Sequence, residues 1–315
     1  MLKVFMRDDS VVSEEKSSAF LMKSAAAAST GAAFVLIVAK LFASAMTDSV
    51  ALLSSLIDSS LDAGASLLNF WAVRKSLIPA DSDHRFGHGK IEALAATGQA
   101  AFITGSAVLL IFQSIQYILH PRRIDNVNIG MGVMVFSVFV TLLLILFQRF
   151  VIKKTKSVAI TADYAHYAGD ILMNLSVIAS LFISSYCDFR YADPIFALTI
   201  AFYLIISAFR IMNKALGQLI DAELPAEEKH KITNIVLNAP DVSGMHDLRT
   251  RSSGTQWFIQ LDLELNPNFT LEKAHAVADN VEKLLMKTFP NAEIIIHQDP
   301  AGLNEDHPHW CYEQP

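Results

Sequence analysis

The chain has 315 residues, of which 52% are hydrophobic and only 18% are charged, and its formal net charge is −6. Soluble proteins carry about 25% charged residues, so this composition indicates a large membrane part. The acidic balance and the lack of a basic stripe argue against a nucleic-acid partner. The two cysteines, Cys187 and Cys311, form neither a CxxC pair nor a disulfide framework.

Residues 1–19 are too acidic for a signal peptide, and we expect them to form a cytoplasmic N-terminal segment. A six-helix transmembrane domain is predicted over residues 20–214, since a spanning helix needs about 17–25 apolar residues. The six apolar stretches cover residues 20–45, 49–73, 91–118, 128–151, 157–187 and 192–211. The fifth is the least hydrophobic, because its first half contains Asp163, His166 and Asp170.

Basic residues are distributed unevenly over the connecting segments. Fourteen Lys and Arg fall on the side that includes the N-terminus, and three fall on the other side. Because basic loops stay in the cytoplasm, the pattern predicts a multi-pass inner-membrane protein with both termini cytoplasmic. The basic residues around Lys153 and Lys154 are expected to lie near anionic membrane lipids.

The chain becomes polar after Gly217, and a soluble domain is predicted over residues 215–300. Its periodicities indicate a helix, two strands, a helix that opens at Thr270 and a last strand. The predicted fold is therefore an all-α membrane domain of six transmembrane helices plus a cytoplasmic α-β-β-α-β domain, a metallochaperone-like α+β unit. Its core is thin, which favours a homodimer. Residues 301–315 show no period and are expected to be a flexible tail.

Two carboxylates, Asp58 and Asp62, lie one helical turn apart within the second apolar stretch. An acidic residue at the bilayer centre costs about 2.5–3.5 kcal/mol, so intramembrane carboxylates usually serve a function. The alternative is that one is protonated or pairs with a basic residue of a neighbouring helix. The second and third stretches offer no deep Lys or Arg for such a pair.

The fifth stretch carries a similar pair, His166 and Asp170. At about 1.5 Å of rise per residue, both pairs lie about 14 and 20 Å from the ends of their helices and so reach mid-membrane depth. If the two helices are neighbours, they offer three carboxylates and one imidazole, which suit a tetrahedral divalent ion with Zn²⁺ as the natural occupant. Asp163, one turn before His166, is expected to line an entrance to this site.

The chemistry of these ligands also indicates an energy source. A ligating His must be neutral and a ligating Asp ionised, so metal ions and protons compete for the same groups. A site that releases metal outward on protonation and returns protons inward is a metal/proton antiporter, which is the hypothesis that the sequence supports.

The motifs resemble those of one family. "SLIDSSLD" on the second span, "HYAGD" on the fifth and a tail closing on "IIIHQDP" are similar to the cation diffusion facilitator family. The segments "PADSDHRFGHGKIEALAA" and "HDLRTR" resemble its bacterial zinc, cadmium and ferrous-iron exporters. The resemblance implies a homodimeric metal/proton antiporter whose transport site is formed by Asp58, Asp62, His166 and Asp170.

The resemblance implies two further metal sites. One is in the cytoplasmic loop after the second span, at Asp81, His84 and His88, where Asp83 is an equally acceptable substitute for Asp81. The other is a binuclear site in the tail domain, formed by His246, His275, His297 and Asp299. The family usually has a second His in the middle strand, and Asp262 takes its place here. The alternative is that the tail domain only dimerises.

Other functions remain open at this point. The same transport mechanism could serve Fe²⁺, Cd²⁺ or Mn²⁺. An intramembrane metalloprotease would need an HExxH-type motif, which the spans lack. A membrane-anchored metal sensor would leave the four mid-membrane ligand residues unexplained, so we expect a transporter and no enzyme.

Overall fold

The computed structural model describes residues 9–47, 50–119, 128–187 and 191–302. Residues from Lys16 to Leu219 form one compact unit, and those from Ile220 onward belong to a second. The predicted flexible tail lies almost wholly outside the described residues, as do His120 and Cys311.

The first unit contains six long helices. They are α1 (Asp9–Thr47), α2 (Val50–Ser76), α3 (Lys90–Leu119), α4 (Asn128–Thr155), α5 (Val158–Cys187) and α6 (Ala192–Leu219). Each coincides with one of the six apolar stretches. Five of them continue past the apolar stretch at one end or both, because helix formation does not stop where hydropathy falls.

Four of these helices, α1, α3, α4 and α6, are long and apolar enough to cross a membrane, judged over the described residues. The helices α2 and α5 carry the polar residues of the predicted site. Large apolar side chains point outward from the unit, among them Phe34, Leu68 and Phe202, which are 66–69% exposed. Contiguous apolar surface of this kind is stable only against lipid or a protein partner.

Small residues let α3, α5 and α6 pack closely. Their shared core consists largely of alanines, including Ala96, Ala100 and Ala201, which are completely buried. At Gly169 an added Cβ would lie 2.7 Å from Cδ2 of Leu204 on α6. Such small-residue contacts are how helices associate where no hydrophobic driving force exists between them.

The second unit has the predicted α-β-β-α-β order. Its elements are α7 (Ala226–Leu237), β1 (Val242–Ser253), β2 (Gln256–Leu265), α8 (Leu271–Thr288) and β3 (Ala292–Pro300). The sheet order is β1-β2-β3, with β1 antiparallel and β3 parallel to β2. Thr270 caps α8 by accepting a hydrogen bond from the backbone of Lys273, as its sequence predicts.

One face of this sheet is covered by α7 and α8. Ile259, Leu261 and Leu263 of β2 alternate onto that face and are buried against Val281 and Leu285 of α8. The residues that alternate with them, on the other face of the sheet, are the polar Gln260, Asp262 and Glu264. The open face of the sheet is therefore available for polar chemistry.

A buried carboxylate fixes the beginning of α5. Glu92 on α3 is 2% exposed and accepts hydrogen bonds from Ser157 Oγ (2.5 Å) and from the backbone N–H groups of Val158 (2.7 Å) and Ala159 (3.3 Å). The first N–H groups of a helix have no partner inside the helix, and they favour a negative charge. Glu92 therefore supplies from α3 the cap that α5 requires.

Replacing Glu92 with Ala should lower the free energy of unfolding by about 1–3 kcal/mol, since buried donors at the start of α5 would lose their acceptor. Thermal unfolding of the full-length protein in detergent measures this change. Glu92→Gln keeps one carbonyl acceptor and should lose less. An unchanged midpoint in Glu92→Ala would contradict the capping role.

Candidate metal centres

The helices α2 and α5 bring three of the predicted intramembrane ligands together. His166 Nε2 lies 3.1 Å from Asp62 Oδ1 and 3.8 Å from Asp170 Oδ2. One ligand atom from each residue lies within 4.8 Å of the other two. His166 is 7% exposed, and its Nε2 makes no hydrogen bond in the described part of the chain.

These separations are close to those of a metal centre. Zinc ligands lie about 2.0–2.2 Å from the ion, so two ligand atoms of a tetrahedral site are about 3.3–3.6 Å apart. The two measured distances lie on either side of this range. The fourth predicted residue, Asp58, belongs to α2 one turn before Asp62, and its side chain lies outside the described residues. The three described donors leave one tetrahedral position for it.

Asp163 does not line an entrance, and that expectation is wrong. Its side chain is completely buried, with 0% exposure. It accepts hydrogen bonds from Gln99 Nε2 (3.1 Å) and Gln148 Nε2 (2.7 Å), and Ser29 Oγ lies in hydrogen-bond contact with it. A carboxylate surrounded by donors from three other helices is part of the packing of the unit.

The loop after α2 gathers a second cluster. His84 Nδ1 lies 3.4 Å from Asp81 Oδ1, and His88 Nε2 lies 3.5 Å from Asp81 Oδ2. The backbone N–H groups of His84 and Asp83 donate to Asp81 Oδ1, and the bond from His84 contributes most to holding the pKa of Asp81 below its ordinary value. The three side chains form one potential metal-binding group, which includes Asp81 and not Asp83.

The tail unit carries its candidate ligands on the open face of the sheet. His246 on β1 pairs with Asp262 on β2, which pairs with His297 on β3, so the three residues form one row across the sheet. His246 Nε2 lies 3.6 Å from Asp299 Oδ2, and His297 Nε2 lies 3.2 Å from Asp299 Oδ1. One carboxylate thus stands between two imidazoles, as a bridging ligand of a binuclear centre would.

The group of three converging ligands in the tail unit overlaps only partly with the predicted set, since His275, His297 and Asp299 are not part of it. His275 is exposed on α8 and belongs to no group of three converging ligands among the described residues. Asp247, which the sequence did not single out, joins His246 and Asp262 in such a group. Strand alternation would place Asp247 on the opposite face from His246, but a bulge between His246 and Arg249 and a positive φ of 50° at Asp247 turn it to the same side.

Asp262 faces a cavity of about 270 Å³ together with Asp247, Arg249, Gln260 and His297. Partial burial raises the pKa of Asp262 above its ordinary value. Its ionised form therefore destabilises the metal-free fold near neutral pH, and this destabilisation disappears as the pH falls through the raised pKa.

Asp262→Asn should consequently stabilise the metal-free tail unit at neutral pH, and its advantage over the wild type should shrink toward about pH 4. Hydrogen–deuterium exchange of the β2 amides, in the full-length protein with chelator, measures this difference. Glu293→Gln, at an exposed position on β3, is the matched control. A difference independent of pH would contradict the assignment.

Comparison with known proteins identifies both units. The family model described as the cation efflux transmembrane domain matches residues 26–220, and that of the cation efflux protein cytoplasmic domain matches residues 224–301. The cation-efflux pump FieF of Yersinia pestis (strain Pestoides F) is 46% identical over 283 residues, which cover 89% of this chain and 94% of that protein. The protein of the same name from Yersinia pseudotuberculosis (serotype O:3, strain YPIII) gives the same values.

Solved structures match over about a quarter of the chain. A zinc form of the putative zinc transporter CzrB is 29% identical, covering 26% of this chain and 96% of its own, with a TM-score of 0.25. A metal-bound C-terminal domain of the CzcD transporter from Thermotoga maritima is 27% identical, covering 26% and 100%, with a TM-score of 0.24. On the family models and the FieF relatives, the chain belongs to the cation diffusion facilitator family, a membrane transporter family that exports metal cations.

Proposed function

We propose that this protein is a proton-coupled antiporter that exports divalent transition-metal ions, foremost Zn²⁺, from the cytoplasm. The observation that carries the proposal is the convergence of Asp62, His166 and Asp170 from two helices of the membrane unit. Asp58, one turn from Asp62, completes a four-ligand transport site. An enzyme would need a general base beside the metal, and these four residues are all consumed as ligands.

Exchange of metal for protons follows from the charge of the ligands. Three ionised carboxylates and a neutral imidazole carry three negative charges, which a divalent ion reduces to one. Once the ion leaves, three negative charges remain close together in a medium of low dielectric, which is unfavourable unless protons enter. Metal and protons therefore occupy the site in turn, and the proton gradient drives metal outward.

Zinc is favoured over the harder ions by the donor set. Imidazole nitrogen suits Zn²⁺, whereas a site with oxygen donors alone suits Mn²⁺. The distances around His166 are close to those of a tetrahedral zinc site, which supports the same choice. Fe²⁺ and Cd²⁺ are the competing substrates, since they accept the same donors.

The assembly that we propose is a homodimer in the inner membrane, with all six helices spanning and both termini in the cytoplasm. The match to the family's cytoplasmic domain supports dimerisation through the tail unit. The domain boundaries we propose are residues 20–214 for the membrane domain and 215–300 for the cytoplasmic domain. The loop cluster and the tail cluster are then cytoplasmic metal sites, with Zn²⁺ as their structural or regulatory ion.

Zinc uptake into proteoliposomes tests the antiport. An imposed proton gradient should drive uptake by the wild type, and Asp58→Ala and Asp62→Ala should abolish it because the ion loses a ligand. His307→Ala, beyond the candidate sites, is the control and should transport normally. Uptake by the wild type that ignores the gradient would refute proton coupling.

The same variants separate a transporter from a membrane-anchored sensor. Asp58→Ala should leave metal binding by the tail unit intact, as measured by calorimetry on the full-length protein. A sensor would give the same tail binding but no wild-type flux.

His166→Asp should shift the metal preference toward Mn²⁺, since it replaces the nitrogen donor with a harder oxygen donor. Competition of Zn²⁺, Cd²⁺, Fe²⁺ and Mn²⁺ in reconstituted transport measures the shift. An unchanged order of preference would show that His166 does not select the metal.

A further inference from the structure

Asp163 is a buried carboxylate for which the transport site has no direct use. It lies on α5 one helical turn before His166 and is 0% exposed. Its hydrogen-bond partners come from three other helices: Ser29 on α1, Gln99 on α3 and Gln148 on α4. Burying a carboxylate costs free energy unless hydrogen-bond donors compensate for the lost water.

The partners of Asp163 are themselves buried and connected. Gln148 and Ser29 are 0% exposed and Gln99 is 6% exposed. Gln148 Nε2 donates to Ser29 Oγ (3.1 Å) as well as to Asp163. Because the donors point at one carboxylate, the four helices can adopt this packing in few ways, which is how buried polar networks help to specify a structure.

A second arm of the network reaches α2. Tyr167, directly after His166, has its hydroxyl 2.7 Å from Ser66 Oγ, and it donates to the carbonyl of Ser29 (3.2 Å). Ser66 lies one helical turn after Asp62. The network therefore links the helix that carries His166 to the helix that carries Asp62.

Direct packing links these two helices much less. The contact between α2 and α5 is far smaller than that between α3 and α6 or between α5 and α6. The separation of 3.1 Å between His166 Nε2 and Asp62 Oδ1 thus depends on groups that hold α5 and α2 in register. Tyr167 bonds α5 to α2 through Ser66. Asp163 bonds α5 to α1, α3 and α4, so it restricts where α5 can lie relative to the rest of the unit.

We propose that Asp163 is a positioning residue for the intramembrane metal site. By accepting hydrogen bonds from α1, α3 and α4, it fixes the half of the site on α5 against Asp62 on α2. The inference rests on the proposed transport function and deepens it. It assigns no proton and no metal to Asp163 itself.

Asp163→Asn with and without Gln148→Glu tests this role. The asparagine side chain presents one acceptor and one donor group, so it cannot accept from both glutamines. The Gln148 amide would have to rotate by half a turn to accept from the new asparagine. Its NH2 group would then lie at the present position of Oε1, which has no hydrogen-bond partner among the described residues. In the double variant the carboxylate sits on α4. The new asparagine on α5 then accepts from Gln99 and donates to that carboxylate, which restores the hydrogen bonds between α3, α4 and α5.

Zinc transport by proteoliposomes, measured as KM and kcat separately, gives the readout. Asp163→Asn should raise KM about 10–100-fold, the range for loss of a group that orients metal ligands, with a smaller effect on kcat. The double variant should recover most of this loss, which additive effects cannot produce. Ser114→Ala is the control and should behave as the wild type, since this buried hydroxyl of α3 donates to the carbonyl of Leu110 in its own helix.

Several outcomes would overturn the inference. One is an unchanged KM in Asp163→Asn, and another is a loss confined to kcat. A third is a double variant that folds, with the thermal midpoint of the wild type, yet stays as impaired as Asp163→Asn. If the double variant does not fold, Tyr167→Phe replaces it, and an unchanged KM there overturns the inference. Absence of transport by the wild type would instead refute the proposed function.

Discussion

The membrane unit is organised by the cost of placing carboxylates where water is scarce. Asp62 and Asp170 face an imidazole, whereas Glu92 and Asp163 are enclosed by hydrogen-bond donors. A buried carboxylate needs compensation, and the four helices that meet around Asp163 provide it with neutral donors. The two environments, facing an imidazole or enclosed by donors, have different consequences for the carboxylate. Donors of the protein hold Asp163 permanently, whereas under the proposed mechanism the ligands of the site exchange one cation for another.

Much of this arrangement follows from the sequence. Helical period and hydropathy locate α1 to α6, and a spacing of four residues places His166 and Asp170 on one face of α5. The pairing of α2 with α5 does not follow from spacing, because it depends on how the helices pack. The structure supplies it through the 3.1 Å contact between Asp62 and His166.

The sequence misplaced residues whose environment depends on tertiary contacts. Asp163 has the spacing of an additional site residue, and only the positions of Gln99 and Gln148 show that it is enclosed. Asp247 was missed because regular strand alternation would place its side chain on the face opposite to His246. The feature that reveals its true position is the bulge after His246. His275 lies on α8, the helix that the sequence predicts after Thr270, and its role as a metal ligand stays a prediction.

The bulge in β1 also changes the charge balance of the tail unit. With Asp247 turned beside His246 and Asp262, two carboxylates lie within 4.8 Å of each other around one imidazole. In the metal-free unit these two charges repel each other across β1 and β2, while one divalent ion would bring the group to neutrality. Metal binding would thus relieve an electrostatic stress between two paired strands. The ion-free and ion-bound sheets would differ in rigidity even if their folds were identical.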